Sequence, residues 1–178
     1  MGDDDIMYKT LHNFYDKNKI NDLLCVLNRK NNDISLRLID WFATNYAKKH
    51  NTRITHPELS TSFNVYIEYK NQLKAFSKKK FDPFCRRDRI LFKKYGKEIN
   101  TTIGQLNFFR WAFQNGIVKY VRKNTNIIEK DMLNSLSKSQ NLRNQKKKNS
   151  FNKRRSELSM CASKSFTCVN LPCLIQLD

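Results

Sequence analysis

Four glycines and three prolines are all that this chain of 178 residues has for making sharp turns. A many-stranded sandwich needs a turn signal roughly every 8–12 residues, so the composition argues against that fold and for helices. Helical spacing is visible where it is expected. Leu38, Ile39, Phe42 and Tyr46 share one face, with Trp41 beside them. Asp33 or Ser35 stands where a short side-chain oxygen can accept from the free amides of a first turn. Lys48-Lys49-His50 closes the same stretch at the negative end of the helix dipole.

Two shorter apolar-periodic runs precede it, Ile6 to Phe14 and Ile20 to Leu27. Thr52 to Ser62 reads as a polar connection. Phe63 to Tyr69 alternates like a strand, but Tyr66, Tyr69, Leu73 and Phe76 carry a helical period further than a strand runs, so a helix is predicted. Pro83 ends or interrupts any helix that reaches it. Arg89 to Thr101 forms a hairpin turning at Tyr95-Gly96-Lys97. Thr102 and Gln105 fit a capping box, in which hydroxyl and amide satisfy two orphan donors reciprocally. Leu106, Phe109, Ala112 and Phe113 line the helix that follows, and Asn115-Gly116 supplies its left-handed stop.

The expected fold is mainly α: a compact helical domain with a small β-hairpin and a basic C-terminal tail. Residues 1–30 make an N-terminal helical arm, 31–125 a basic globular domain, and 126–178 a basic low-complexity tail with an apolar end. The Ser, Asn, Gln and Lys of that tail cannot offset its ordering entropy unaided. No transmembrane segment is expected, because no run of about 18 apolar residues exists. The acidic start Met1-Gly2-Asp3-Asp4-Asp5 is unlike a secretory signal, so the five cysteines read as reduced thiols. Cys161, Cys168 and Cys173 lack zinc-knuckle spacing, and neither metal nor cofactor is expected.

The formal net charge is +18. An AT-rich coding sequence inflates Lys and Asn without any demand for binding, so the distribution matters more than the total. Residues 1–30 are balanced, with five basic and five acidic side chains. Residues 70–97 carry eleven basic groups against Asp82 and Asp88, a net of +9. A field gathered on one segment attracts an anion more effectively than a dispersed one.

Within that segment lies Lys78-Lys79-Lys80-Phe81-Asp82-Pro83-Phe84-Cys85-Arg86-Arg87-Asp88-Arg89. Arginine suits a bidentate grip on phosphate, and interleaved aromatics stack on bases or anchor a loop. The candidate polyanion-binding residues are Lys78, Lys79, Lys80, Arg86, Arg87, Arg89, Lys93 and Lys94, with Phe81 and Phe84 as stacking or anchoring rings. The alternative is a solvated loop whose two phenylalanines plug the core. Tail clusters Lys146, Lys147, Lys148 and Lys153, Arg154, Arg155 are further candidates. Thr102 to Asn124 has the length of a helix-turn-helix, but Ile117 to Val121 is too apolar to read bases, and core packing accounts for it better. No catalytic residue is expected. His12, His50 and His56 stand beside no nucleophile pattern, and no Gly-rich phosphate loop is present.

Two stretches carry a family likeness. One is Ile34-Ser35-Leu36-Arg37-Leu38-Ile39-Asp40-Trp41-Phe42 with Asn45-Tyr46-Ala47-Lys48-Lys49. The other runs from Phe81-Asp82-Pro83-Phe84-Cys85-Arg86-Arg87 to Thr102-Ile103-Gly104-Gln105-Leu106-Asn107-Phe108-Phe109-Arg110-Trp111. Over residues 30–125, with a weaker echo at 155–164, the chain resembles a group of small basic, largely uncharacterised proteins of nucleocytoplasmic large DNA viruses. The resemblance implies a virion component or a DNA-associated protein, present in the virion and in the host cytoplasm or nucleus during infection. The expected role is non-enzymatic, a minor capsid or internal structural protein. Its basic surface would hold nucleic acid or acidic virion proteins, capsid proteins among them, and take no small-molecule substrate. The alternative is a DNA-binding regulatory or packaging protein of the infected cell.

Overall fold

Four short polar side chains open four helices, and they explain why the chain breaks where it does. In the computed structural model, which describes residues 3–28, 34–57 and 61–151, Asp16 accepts from the amide of Lys19 at 2.8 Å and starts α2 (Lys17–Leu27) behind α1 (Asp3–Phe14). Ser35 accepts from Leu38 at 3.1 Å and starts α3 (Leu36–Trp41); Asp33, the other expected cap, lies outside the described residues. Asn64 accepts from Ile67 at 3.0 Å and starts α5 (Val65–Lys80). Thr102 accepts from Gln105 at 3.0 Å and starts α6 (Ile103–Gln114). Each oxygen replaces water on an amide that has no intrahelical acceptor.

The expected helix around Trp41 is present in three pieces: α3, a π-helical stretch (Phe42–Tyr46) and α4 (Ala47–Lys49). Thr44 donates its hydroxyl to the carbonyl of Asp40 at 2.6 Å within this widened turn. Such π-bulges are rare and concentrate near functional sites.

Two antiparallel hairpins complete the fold. One joins β3 (Ile90–Lys94) to β4 (Lys97–Thr101), with Phe92 opposite Ile99 and both buried. Its turn has left-handed φ of 51° at Tyr95 and 69° at Gly96, the pattern of a two-residue hairpin whose twist matches its strands. The other, β1 (Arg53–Thr55) with β2 (Ser62–Asn64), corrects the polar connection expected over Thr52 to Ser62. Three-residue strands are too short to show a period.

Helix α6 is the axis of the core. It packs on α1, α5 and α7 (Ile117–Lys123), with Leu106, Phe108, Phe109 and Ala112 fully out of water. Gly116, at φ 67°, makes the expected left-handed break between α6 and α7. Tyr15 of α1 donates its hydroxyl to the Leu106 carbonyl at 2.6 Å, and burial pushes that phenol well above its usual pKa. Helix α8 (Thr125–Phe151) begins with Ile128 and Met132 buried. The described residues fall into two units, one ending at Ser135 and one beginning at Leu136. No described helix is long and apolar enough to cross a membrane.

Candidate polyanion-binding site

The basic segment between α5 and β3 is held by its main chain. Gln105 donates its side-chain amide to the Pro83 carbonyl at 2.7 Å, and its carbonyl accepts from the Thr101 hydroxyl at 2.8 Å. Asn107 donates to the Lys80 carbonyl at 2.8 Å, and the Asp82 amide donates to the Gly104 carbonyl at 3.2 Å. Gly104 permits this approach, since a Cβ there would stand 3.0 Å from the Lys79 carbonyl oxygen. The expected capping box is therefore half made. Thr102 caps the helix, but Gln105 turns away to the loop, where an otherwise unpaired buried carbonyl rewards it more.

Phe81 is 2% exposed and packs against Tyr69, Phe108 and Trp111, so of the two roles open to it, it takes that of anchor. Phe84 is half-buried beneath the Arg86 guanidinium, 4.8 Å from its ring centre. At Ser77 the backbone has φ 56° and ψ 169°, a region that side chains other than glycine rarely enter, so Lys78 to Lys80 leave the path of α5.

The eight expected cations divide into two groups. Lys80 pairs with Asp4 at 2.6 Å, Arg86 grips Asp82 through two bonds of 2.6 and 2.9 Å, and Lys93 pairs with Glu98 at 2.6 Å. Lys94 donates to the carbonyl of His12. Lys78, Lys79, Arg87 and Arg89 are exposed and form no ion pair with any described residue. Lys146, Lys147 and Lys148 fall within α8, and Lys153, Arg154 and Arg155 lie outside the described residues, as do Cys161, Cys168 and Cys173.

Two clefts flank the loop. One, of about 800 Å³, is bordered by Asp4, Lys79, Lys80, Arg87 and the start of α6. The other, of about 560 Å³, is bordered by Asp40, Thr44, Tyr69, Lys78, Asp82 and Arg87. Sequence reading passed over Asp40, which lies far from the basic run in the chain, and took Tyr69 only as one position of a helical face. The signal that could have found Asp40 is a lone carboxylate within an apolar helical face. Burial raises the Asp40 carboxyl above the usual range, with the nearby Asp82 adding to it against Arg86. Burial, with Asp40 and Asp82 adding to it, pushes the Tyr69 phenol up to about 12. Among the described residues no group of three or more His, Cys, Asp or Glu is placed to hold a metal.

Fold and loop together define a small, mainly helical protein displaying a clustered basic segment on a buried polar mount. The chain belongs to a family of unknown function (DUF7197), whose model matches residues 1–170. It is similar to the uncharacterized protein L507 of Acanthamoeba polyphaga mimivirus, 44% identical over 126 residues that cover 66% of this chain and 47% of that protein. The match thus spans about half the length of that relative, and it supports a viral origin. No solved structure matches the chain.

Proposed function

We propose that the protein is a non-enzymatic virion component of a large DNA virus, a minor capsid or internal structural protein, that holds nucleic acid or an acidic partner against the loop at 77–89. One observation carries the reading. Lys78 and Lys79, at the end of α5 beyond its kink, and Arg87 and Arg89, in the loop that follows, stand exposed on a segment whose backbone is fastened to the core, and none has a carboxylate partner among the described residues. Fastening keeps the cations together without side-chain ion pairs, so their charge is available to an outside anion.

Pairing of Lys80, Arg86 and Lys93 reduces the number of phosphates that the loop can neutralise to about four. Counterion release then lowers duplex affinity about a hundredfold between 50 and 200 mM salt. Fluorescence anisotropy with a labelled duplex measures this directly, and a flat salt response removes nucleic acid as the partner. Mass spectrometry of purified particles separates a structural component, present in stoichiometric amount, from a DNA-binding regulatory or packaging protein left behind in the infected cell.

A further inference from the structure

The smaller cleft beside the loop has features that a simple grip on a phosphate backbone does not use. Its volume of about 560 Å³ lies within the range of small-ligand sites. Four elements meet there: α3 brings Asp40, the π-helical stretch Thr44, α5 Tyr69 and Leu73, and the loop Phe81, Asp82 and Arg87. The carboxyl of Asp40 is half-buried, yet it accepts no hydrogen bond from and forms no ion pair with any described residue. Arg86 acts on it only through its charge, because both of its bonds go to Asp82. A carboxylate that is drawn from water and left without a partner costs stability, and such costs collect at binding sites.

The chemistry across the cleft is divided. Lys78 and Arg87 border it as cations with no ion pair among the described residues. Tyr69, Leu73, Phe81 and Pro83 supply an aromatic and apolar wall. Asp40 offers two acceptor oxygens, and the phenol of Tyr69 remains a donor at neutral pH. A ligand that uses all three parts carries a phosphate, a flat ring with an apolar face, and N–H or O–H donors at some distance from the phosphate.

We propose that this cleft binds a single nucleoside phosphate, with the phosphate against Lys78 and Arg87, the base along Tyr69, and base or ribose donors on Asp40. The nucleotide is either free or the 5′-phosphorylated end of a strand, since both present the same groups. The inference goes beyond the polyanion reading and shares only Lys78 and Arg87 with it.

Titration calorimetry of the full chain tests it with three probes: nucleoside 5′-monophosphates, ribose 5-phosphate and inorganic phosphate. At least one nucleotide should bind tenfold or more tightly than either of the others. Asp40→Asn should remove that margin while leaving Tm unchanged or higher, because a costly buried charge is lost. Lys78→Ala and Arg87→Ala should weaken all three probes. Should Asp40→Asn fail to fold, Tyr69→Leu, which removes the flat ring that the base lies along, decides by reducing the same margin. Competition by a 5′-phosphorylated oligonucleotide, and not by its 5′-hydroxyl form, assigns the site to strand ends; competition by neither assigns it to free nucleotides. Equal binding of nucleotide and inorganic phosphate, or a margin that survives the deciding variant, overturns the proposal. Loss of duplex binding alone sinks the polyanion reading and leaves this one standing.

Discussion

Gln105 reaches from the first turn of α6 to the carbonyl of Pro83, 2.7 Å away, with both residues buried. The same side chain accepts from Thr101. Replacing Gln105 by Ala strands two buried polar groups, each costing about 1–3 kcal/mol. Urea denaturation should show a loss of about 2–4 kcal/mol. A loss below about 1 kcal/mol would mean that the loop is fastened elsewhere.

Gly104 tests the same mount from the other side. The methyl group of Gly104→Ala would press on the carbonyl of Lys79, a backbone atom that cannot swing aside. Overpacking of this kind costs about 1–3 kcal/mol. The variant should melt lower than wild type and bind duplex more weakly at temperatures where it remains folded.

Ser77 predicts the opposite sign. Its left-handed φ of 56° is natural to glycine and strained for serine. Ser77→Gly should stabilise the protein by about 0.5–1 kcal/mol, after the loss of the weak 3.3 Å bond from the Lys79 amide to the serine hydroxyl. Thermal melting checks it, and a lower Tm contradicts the strain.

Arg86 and Arg87 are neighbours with different tasks. Arg87→Ala should weaken polyanion binding with little change in Tm. Arg86→Ala leaves the carboxylate of Asp82, only 10% exposed, without its partner and beside Asp40. Its main effect should be a lower Tm, with a smaller loss of duplex binding. Reversal of that order would show that Arg86 is the grip and Asp82 merely its tether.

Asp131 supplies a pH dependence. Burial raises its carboxyl, but hydrogen bonds from Lys49 and Trp41 together outweigh it, and the net pKa is lowered. A lowered folded value means that the ionised form stabilises the fold above the unfolded pKa of about 3.9, and that this is lost as pH falls through the folded value. Asp131→Asn should therefore melt below wild type at pH 7, with the gap closing toward pH 2. A gap that is constant with pH would assign the effect to packing.

Much of this fold was legible in the chain because the responsible signals are local. Ser35 and Thr102 act on amides within their own first turns, and Tyr95-Gly96 sets its hairpin through two backbone angles. The hairpin of β1 and β2 escaped notice because three residues cannot display alternation. Gln105 sits at the spacing of a capping box, yet Pro83, remote in sequence, competes for its amide. Charge density singled out the basic segment but carried no information on which of its cations pair with carboxylates. Asp4, Asp82 and Glu98 made that choice through tertiary contacts and strand pairing. Asp40 meets Asp82 only after folding, so no local pattern announced their cleft.

The mount beneath the loop grips carbonyl and amide groups, which every residue type shares. Relatives can therefore exchange the displayed side chains, trading lysine for serine or glutamate, while the path of the segment stays as it is. Such a protein can change what it recognises without having to relearn how to fold.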